Sequence, residues 1–195
     1  MIGLFSFLFV NAQVYEPGKS YVSAGYGIGN FVQSVLKTYE TYDDFSSKIM
    51  GPIFCKYEYA INEQIGFGVT FAYVSANASY RDNSVIVSTN PTTVYYEENI
   101  DWNSYSFLMR FNWHFNSMGD RLDPYIGFGL GYRGASWKFT DNDPSYSNNI
   151  SISSYFPLGM ELTAGMRFMF TDFLGIYSEV GFAKAVAQFG IIAKF

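Results

Sequence analysis

The stretch that decides the fold is SYSFLMRFNWHFN, Ser104–Asn116, in which two kinds of side chain alternate without interruption. One face carries Tyr105, Phe107, Met109, Phe111, Trp113 and Phe115, and the other carries Ser104, Ser106, Leu108, Arg110, Asn112 and His114. Successive side chains of a strand point to opposite faces of a sheet, whereas a helix would mix the two sets around its circumference. The stretch is therefore predicted to be a β-strand with one aromatic face and one polar face.

The composition suits strands that cross a membrane better than it suits a soluble core. Charged residues make up only 15% of the 195 residues, while aromatic residues reach 21%; ordinary soluble domains are about 25% charged. No segment offers the ~20 consecutive apolar residues that a membrane helix requires. A chain that is rich in aromatics, poor in charge and without apolar helices is typical of a β-barrel in lipid.

The net charge and the rare residue types exclude several classes of function. A net charge of −5 argues against a nucleic-acid partner. Cys55 is the single cysteine, so an intramolecular disulfide and a cysteine zinc cluster are both excluded. His114 is the single histidine, so one chain cannot form a multi-histidine metal site. We therefore expect no cofactor and no metal site.

Seven further segments alternate in the same way, and polar connections of unequal length separate them. The predicted strands are about residues 21–29, 49–61, 65–80, 104–116, 124–139, 154–170, 174–182 and 187–195. The connections at 30–48, 81–99 and 140–149 are long, whereas those at 62–64, 117–123 and 171–173 are short. Membrane barrels have short periplasmic turns and longer extracellular loops. The pattern therefore predicts an all-β fold, an eight-stranded antiparallel up-and-down transmembrane β-barrel.

The polar face of these strands is predicted to line the barrel interior. It is rich in glycine, which weakens a strand exposed to water but fits inside a narrow eight-stranded barrel. The opposite face is nearly free of charge, as lipid requires, because a Lys or Arg there costs about 2–4 kcal/mol at the membrane centre. The interior charges are nearly balanced in sign, which favours a buried ion-pair network over a conducting path. These charged residues are Lys56, Glu58, Arg110, Arg133, Glu161, Arg167, Glu179 and Lys194.

The N-terminal segment MIGLFSFLFVNAQ resembles the apolar core and cleavage region of a secretory signal peptide. It departs from that pattern in two respects, since the apolar run is short and no Lys or Arg precedes it. We interpret residues 1–12 as the remnant of a signal peptide, with cleavage near Ala12–Gln13, and residues 13–195 as the barrel. The alternative interpretation is a buried first strand.

Three segments carry a resemblance to a known family: YVSAGYGIG at Tyr21–Gly29, PYIGFGLG at Pro124–Gly131 and FGIIAKF at Phe189–Phe195. Together with the barrel pattern over Gln13–Phe195, they resemble the small outer-membrane β-barrels of the OmpA/OmpX type, the outer membrane protein beta-barrel domain family. The resemblance implies a location in the bacterial outer membrane and contact with outer-membrane lipid and lipopolysaccharide. It also implies that the barrel assembly machinery recognises the C-terminal strand. The family shares no single activity, so the fold implies little about function.

A non-enzymatic function is predicted, either a structural role in the envelope or a surface interaction through the outer connections. One alternative is a small channel or a barrel that carries an apolar ligand. A second is a lipid A-modifying hydrolase, since some eight-stranded outer-membrane barrels use a His with a Ser, and Ser117 closely follows His114. His114 is, however, predicted to lie on the interior face near a periplasmic turn, whereas a lipid-modifying site should open toward the outer leaflet.

Aromatic residues in the long connections are candidates for the recognition of an extracellular protein partner, because such side chains often anchor interfaces. Aromatic residues are equally expected in the interfacial girdle of a membrane barrel, and this second interpretation is favoured near the ends of strands. The candidates for recognition are Tyr42, Phe45, Tyr95, Tyr96 and Tyr146.

Overall fold

The computed structural model describes residues 14–30, 32, 43–85, 93–115, 121–141, 150–154 and 156–195. The predicted signal segment, residues 1–12, lies outside this part of the chain. Among the described residues, no helix is long and apolar enough to cross a membrane.

The described residues form nine strands in one antiparallel sheet that closes on itself. The strands are β1 (Ser20–Ile28), β2 (Asp43–Ala60), β3 (Ile65–Val85), β4 (Thr93–His114), β5 (Leu122–Asp141), β6 (Ile150–Ser153), β7 (Leu158–Met169), β8 (Leu174–Phe182) and β9 (Ala187–Lys194). Pairing of β1 with β9 completes the ring. Because β5 pairs with both β6 and β7, these two are segments of one barrel strand. The barrel thus has eight strands, which confirms the predicted fold class.

The aromatic face of the strands points outward and the polar face points into the barrel. On β4, Phe107 and Met109 are 53% and 58% exposed, whereas Leu108 and Arg110 are only 1% and 3% exposed. A protein with an aqueous exterior would bury the apolar set instead, because apolar burial is the main favourable term in its folding. The inverted arrangement is the one that hydrocarbon surroundings require, as the sequence predicted.

The strands reach further at one end than predicted. We call the end with the long connections the outer end, and the opposite end the periplasmic end. The β3–β4 pairing continues to Val85 and Thr93, so the predicted loop at 81–99 is mostly strand. Similarly, β2 begins at Asp43, inside the predicted loop at 30–48. The boundaries were wrong because polar composition indicated loops, whereas antiparallel strands outside lipid accept polar residues on a face that meets water.

The predicted sixth strand is interrupted. The prediction covered residues 154–170, but the strand consists of β6, which ends at Ser153, and β7, which begins at Leu158, with Pro157 between them. Proline has no N–H group to donate to a neighbouring strand, which confines it to the interruptions and edges of a sheet. Its carbonyl oxygen still accepts a hydrogen bond of 2.7 Å from the Arg133 N–H, so the chain stays attached to β5 across the break.

The barrel wall is high on one side and low on the other. On the low side, β1 ends at Ile28 and the connection between β8 and β9 spans only residues 183–186. On the high side, β2 to β5 continue past this level. Strand β2 leaves β1 at a bulge beside Ile53, where Gly51 takes a φ of +90° that residues with a Cβ rarely adopt.

Apolar side chains fill both ends of the interior. The periplasmic cluster includes the segment that precedes β1 and consists of Val14, Tyr15, Tyr21, Ala60, Met169, Tyr177 and Ile192. The outer cluster lines the inner face of the high wall and consists of Val32, Val74, Ala76, Ala78, Ile100 and Trp102, with Phe45, Ile49, Tyr80, Ala135, Trp137 and Phe139 packed against it. Charged and polar side chains occupy the space between these two clusters.

Glycine permits the close approach of β1 and β9 where the ring closes. Gly25 and Gly190 are directly paired across these two strands. A Cβ added at Gly190 would lie 2.5 Å from the Gly25 Cα and would also clash with the Ala24 carbonyl oxygen. Because these neighbours are backbone atoms, the clash can be relieved only by moving a strand. The Gly25–Gly190 pair is therefore a steric requirement for closure.

Gly190→Val is expected to impair closure of the barrel. Inserting atoms into a packed interior typically costs about 1–3 kcal/mol, and here backbone must move as well. The measurement is electrophoresis with and without boiling, in which the fraction of fast-migrating folded protein should fall. Ile191→Val, on the exposed outer face of the same strand, is the control and should fold normally. Equal folding of the two variants would contradict the steric requirement at Gly190.

Candidate functional site

A compact group of ion pairs crosses the middle of the interior. The Arg110 guanidinium lies 2.8 Å from a Glu161 carboxylate oxygen and 2.9 Å from a Glu179 oxygen. The Lys56 ammonium lies 2.8 Å from the same Glu179 oxygen. All four side chains are buried, on four different strands. Pairing across the barrel is needed because an unpaired buried charge is strongly unfavourable.

Glu179 is the acceptor on which this group converges. Besides the two cations, it accepts hydrogen bonds from the Tyr125 hydroxyl at 2.6 Å and from the Gln188 amide at 2.9 Å. Lys56, Arg110, Tyr125 and Gln188 come from strands β2, β4, β5 and β9, whereas Glu179 lies on β8. One carboxylate thereby ties together five strands of the ring.

A second group lies closer to the periplasmic end. Glu58 is paired with Arg167 and accepts a hydrogen bond from Asn112. His114 has a carboxylate at each ring nitrogen, with Asp123 2.9 Å from Nδ1 and Glu58 2.8 Å from Nε2. The Asn112 side chain also accepts a 2.7 Å hydrogen bond from Arg110, so the two groups form one network.

The segment before β1 covers this second group from the periplasmic side. The Tyr15 ring stacks on the His114 ring with centroids 3.6 Å apart and an angle of 11° between the planes. The Tyr21 hydroxyl donates to the Val14 carbonyl at 3.1 Å and accepts from the Glu16 N–H at 2.8 Å. These bonds hold the segment inside the barrel mouth, where it seals the network from the periplasm.

The space left inside the network is small. The void among its side chains, lined by Lys56, Glu58, Arg110, Arg167, Glu179 and their neighbours, has a volume of about 10 Å³. A cavity must offer roughly 10–15 Å³ to hold a single water molecule. The described part of the interior thus has no continuous aqueous path through the network.

Two further cations lie toward the outer end of the interior, Lys184 in the connection on the low wall and Arg133 on β5 of the high wall. Lys184, in the connection between β8 and β9, is 8% exposed and donates a 2.7 Å hydrogen bond to the Ser104 hydroxyl. Arg133 is half-buried and donates to the Met160 carbonyl at 3.2 Å. Burial, and then the neighbouring Arg133 cation, lower the pKa of Lys184 from its ordinary value to about 7.

The charged residues predicted to line the interior do not all meet in one place. Six of them form the network described above: Lys56, Glu58, Arg110, Glu161, Arg167 and Glu179. Lys194 lies at the periplasmic mouth, where its ammonium group is 2.8 Å from Glu16. Arg133 is at the opposite end, close to Lys184.

The candidate recognition residues are spread over several environments. Tyr42 and Tyr146 lie outside the described residues. Tyr95 and Tyr96 belong to β4 rather than to a loop, where they pair with Asn83 and Asp82 of β3. Phe45 belongs to β2 and packs against the outer cluster; its predicted position in a loop was therefore wrong, because the strand begins earlier than its polar composition indicated.

Several residues of the site were not among the predicted interior charges. Asp123 was assigned to a turn, although the alternation of β5 extends back to it from Tyr125 and could have revealed its inward position. Tyr15 and Lys184 lie outside the strands, where no periodicity indicates which way a side chain points. Cys55 lies on the exposed outer face.

Comparison with known proteins agrees with this architecture. A family model described as the outer membrane protein beta-barrel domain matches residues 2–185. The chain belongs to this family. Family membership confirms the resemblance seen in the sequence, and it places the protein in the bacterial outer membrane. No curated protein matches the chain.

Several solved structures of outer-membrane proteins are similar to this chain at low sequence identity. Ail of Yersinia pestis, solved in complex with the heparin analogue sucrose octasulfate, is 15% identical with a TM-score of 0.46, over 92% of this chain and 99% of that one. OprG of Pseudomonas aeruginosa is 12% identical with a TM-score of 0.45, over 94% and 98%. The N-terminal β-barrel domain of OprF from Pseudomonas aeruginosa is 14% identical with a TM-score of 0.41, over 92% and 98%.

Glu179→Gln is expected to lower the free energy of unfolding strongly. The change leaves two buried cations facing a neutral amide, and removing one partner of a buried ion pair typically costs about 3–5 kcal/mol. Unfolding in urea from lipid vesicles provides the measurement. The control is Asp44→Asn, which disrupts the exposed 2.6 Å pair with Arg81 and should cost at most about 1 kcal/mol. A loss at Glu179 no larger than the loss at Asp44 would contradict the central role of this carboxylate.

Lys184→Met is expected to stabilise the barrel in a pH-dependent way. The Lys184 pKa of about 7 lies below the value of about 10.4 expected in the unfolded chain. Between these values the unfolded state binds more protons, so the wild-type protein gains stability as pH rises. In phosphate-free buffer, the advantage of the variant in urea unfolding should be largest at pH 6 and should shrink toward pH 10. A difference that is constant with pH would contradict this prediction; Lys19→Met, at an exposed lysine, is the control.

Proposed function

We propose that this protein is a non-enzymatic, non-conducting barrel that acts at the cell surface through the sheet projecting from its outer end. The projecting sheet consists of the outer parts of β2 to β5, together with β6. The observation that carries the proposal is the continuous β3–β4 pairing from Tyr73 and Tyr105 out to Val85 and Thr93. At about 3.3 Å per residue, this length is roughly 40 Å measured along the strand.

The base of the projecting sheet is marked by tyrosines on the outer face. Tyr73 pairs with Tyr105, and the rings of Tyr105 and Tyr132 are 5.7 Å apart. Tyrosine is typical of the boundary between hydrocarbon and water on membrane barrels. The outward residues beyond this level include Asn77, which donates a 2.7 Å hydrogen bond to Asp101. The change from aromatic to polar outward side chains supports an aqueous setting for the sheet above.

The inner face of the projecting sheet is apolar, and its β5–β6 part is only partly covered. Trp137 pairs with Ile152, and Phe139 pairs with Ile150, so these four side chains lie on one face. Both isoleucines are exposed. In the described part of the chain, the edge of β6 opposite to β5 pairs with no further strand. Exposed apolar side chains beside free backbone N–H and C=O groups suit contact with a protein partner.

The interior supports the non-conducting part of the proposal. An eight-stranded barrel is only wide enough for its own side chains, and here ion pairs fill its middle. The void of about 10 Å³ is far too small for a carried ligand, because ligand pockets typically measure about 300–1,000 Å³. The channel and the apolar-ligand carrier are therefore less well supported than the surface role.

The environment of His114 argues against the hydrolase. Both ring nitrogens already contact carboxylate oxygens, and Tyr15 stacks on the ring. A general base must reach the proton of its nucleophile directly or through one water. In the described residues, no serine hydroxyl is hydrogen-bonded to His114, and the ring is buried at the periplasmic end, far from the outer leaflet.

The experiment shortens the β3–β4 hairpin by replacing residues 81–97 with the dipeptide Asn-Gly, a sequence suited to a tight hairpin turn. The barrel should still fold, because the cut lies above the membrane level. Cells that display the shortened barrel should adhere less to protein-coated surfaces than cells that display the intact one. A double variant, Ile150→Thr with Ile152→Thr, keeps the length and tests the apolar face separately.

Three results would contradict the proposal. Equal adhesion by cells with the intact barrel, with the shortened barrel and with none would remove the surface role. Steady conductance of the purified protein in planar bilayers would show an open path through the interior. A lipid A profile that changes when the intact protein is expressed, and reverts with His114→Ala, would favour the hydrolase.

A further inference from the structure

Lys184 and Arg133 are the basis of an inference that goes beyond the surface role. In the described residues, neither cation has a carboxylate within 4.0 Å, although the Glu161 carboxylate acts on the Arg133 charge from a greater distance. The three cations of the network do: Lys56 and Arg110 share Glu179, and Arg167 is paired with Glu58. Lys184 and Arg133 therefore differ from the cations of the network, each of which lies beside a carboxylate.

Within the part of the chain that the structure describes, the surroundings of the two cations leave donor groups without an acceptor. The Ser104 hydroxyl accepts from Lys184 at 2.7 Å and donates to the Gly134 carbonyl at 2.9 Å, so it accounts for one of the three ammonium N–H groups. The Arg133 guanidinium donates to the Met160 carbonyl, while its buried Nε has no hydrogen-bond partner among the described residues. An orphaned buried donor beside a second cation is unfavourable unless an acceptor with negative charge is supplied.

We propose that Lys184 and Arg133 bind a phosphate group inside the barrel mouth, between the low-wall connection that carries Lys184 and strand β5 of the high wall, which carries Arg133. A phosphate group carries up to two negative charges, which match the two cations, and its oxygens accept from both kinds of donor. Arginine presents a planar fork of N–H groups that suits phosphate oxygens, and lysine adds a mobile point charge. The lowered pKa of Lys184 agrees with a cation that lacks its counter-charge.

The position of the pair brings it close to lipid headgroups. The rim beside Lys184 carries the exposed apolar side chains Phe182 and Val186, with Phe156 exposed on the neighbouring segment. Exposed apolar side chains at the end of a barrel strand are typical of the band that faces lipid hydrocarbon. We therefore place the polar headgroups near the level of the connection at residues 183–186. A phosphate borne by an outer-leaflet glycolipid and a free phosphate ion could both reach the site, and they share the same chemistry.

The test measures binding to the whole folded barrel in octyl glucoside, a detergent without phosphate. Inorganic phosphate, lipid A and dephosphorylated lipid A are titrated separately, with ³¹P spectra and the thermal unfolding midpoint as readouts. Lys184→Met and Arg133→Gln should each weaken phosphate binding at least about tenfold, as expected for loss of one charge-assisted hydrogen bond. Lys184→Arg keeps the charge and should retain binding, and Lys19→Met, at an exposed periplasmic lysine, should leave binding unchanged.

The outcomes separate the two sources of phosphate and can overturn the site. Binding of both inorganic phosphate and lipid A supports a site that recognises the group itself. Binding of lipid A alone, lost on dephosphorylation, supports a headgroup site. No binding of either probe by the wild-type barrel would overturn the proposal. Undiminished binding by a folded Lys184→Met or Arg133→Gln variant would overturn it as well, and because two independent variants are used, a folding defect in one leaves the test intact.

Discussion

Neutralisation of charge inside the barrel is the constraint on which the rest of the structure depends. The outer wall faces hydrocarbon, so charged side chains have only the interior in which to lie. That interior is too narrow for bulk water, so each cation of the central network pairs with a carboxylate on another strand. Glu179 satisfies donors from four strands besides its own and so links local sequence to the closure of the whole ring. Glycines opposite these long side chains provide the room that they need.

The two ends of the interior are closed by apolar side chains rather than by ion pairs. Ion pairs in the middle are shielded from water by the apolar clusters above and below them. At the periplasmic end the cover comes from a segment outside the sheet, through the stacking of Tyr15 on His114. At the outer end it comes from the tall strands themselves. Low dielectric surroundings strengthen the ion pairs between the clusters, at the cost of making any unpaired group more unfavourable.

Strict alternation was sufficient to predict the strand count, the inward and outward faces and the membrane setting. The Ser104–Asn116 stretch shows why. Inside a membrane, alternate residues of a strand face lipid and the barrel interior, so a residue's position in the alternation decides which of the two it meets. The alternation could not show which charges would pair, since ion pairs depend on the register between strands. It also could not show which way the side chains of Tyr15 and Lys184 point, because both residues lie outside the strands. Beyond the membrane both faces can be polar, so the strand at 81–85 could not be told from a loop.

The unequal height of the wall gives the molecule a front and a back when seen from outside the cell. A symmetrical rim would present the same profile to an approaching molecule from every side. Here the tall strands shield one flank, whereas on the other flank the connection at 183–186 brings the interior level with the lipid headgroups. Rotation of the barrel about its own axis therefore changes what its neighbours meet. Among the described residues, the tall side presents the surface that projects furthest into solution, whereas the low side presents the part of the rim nearest to molecules that diffuse within the membrane plane.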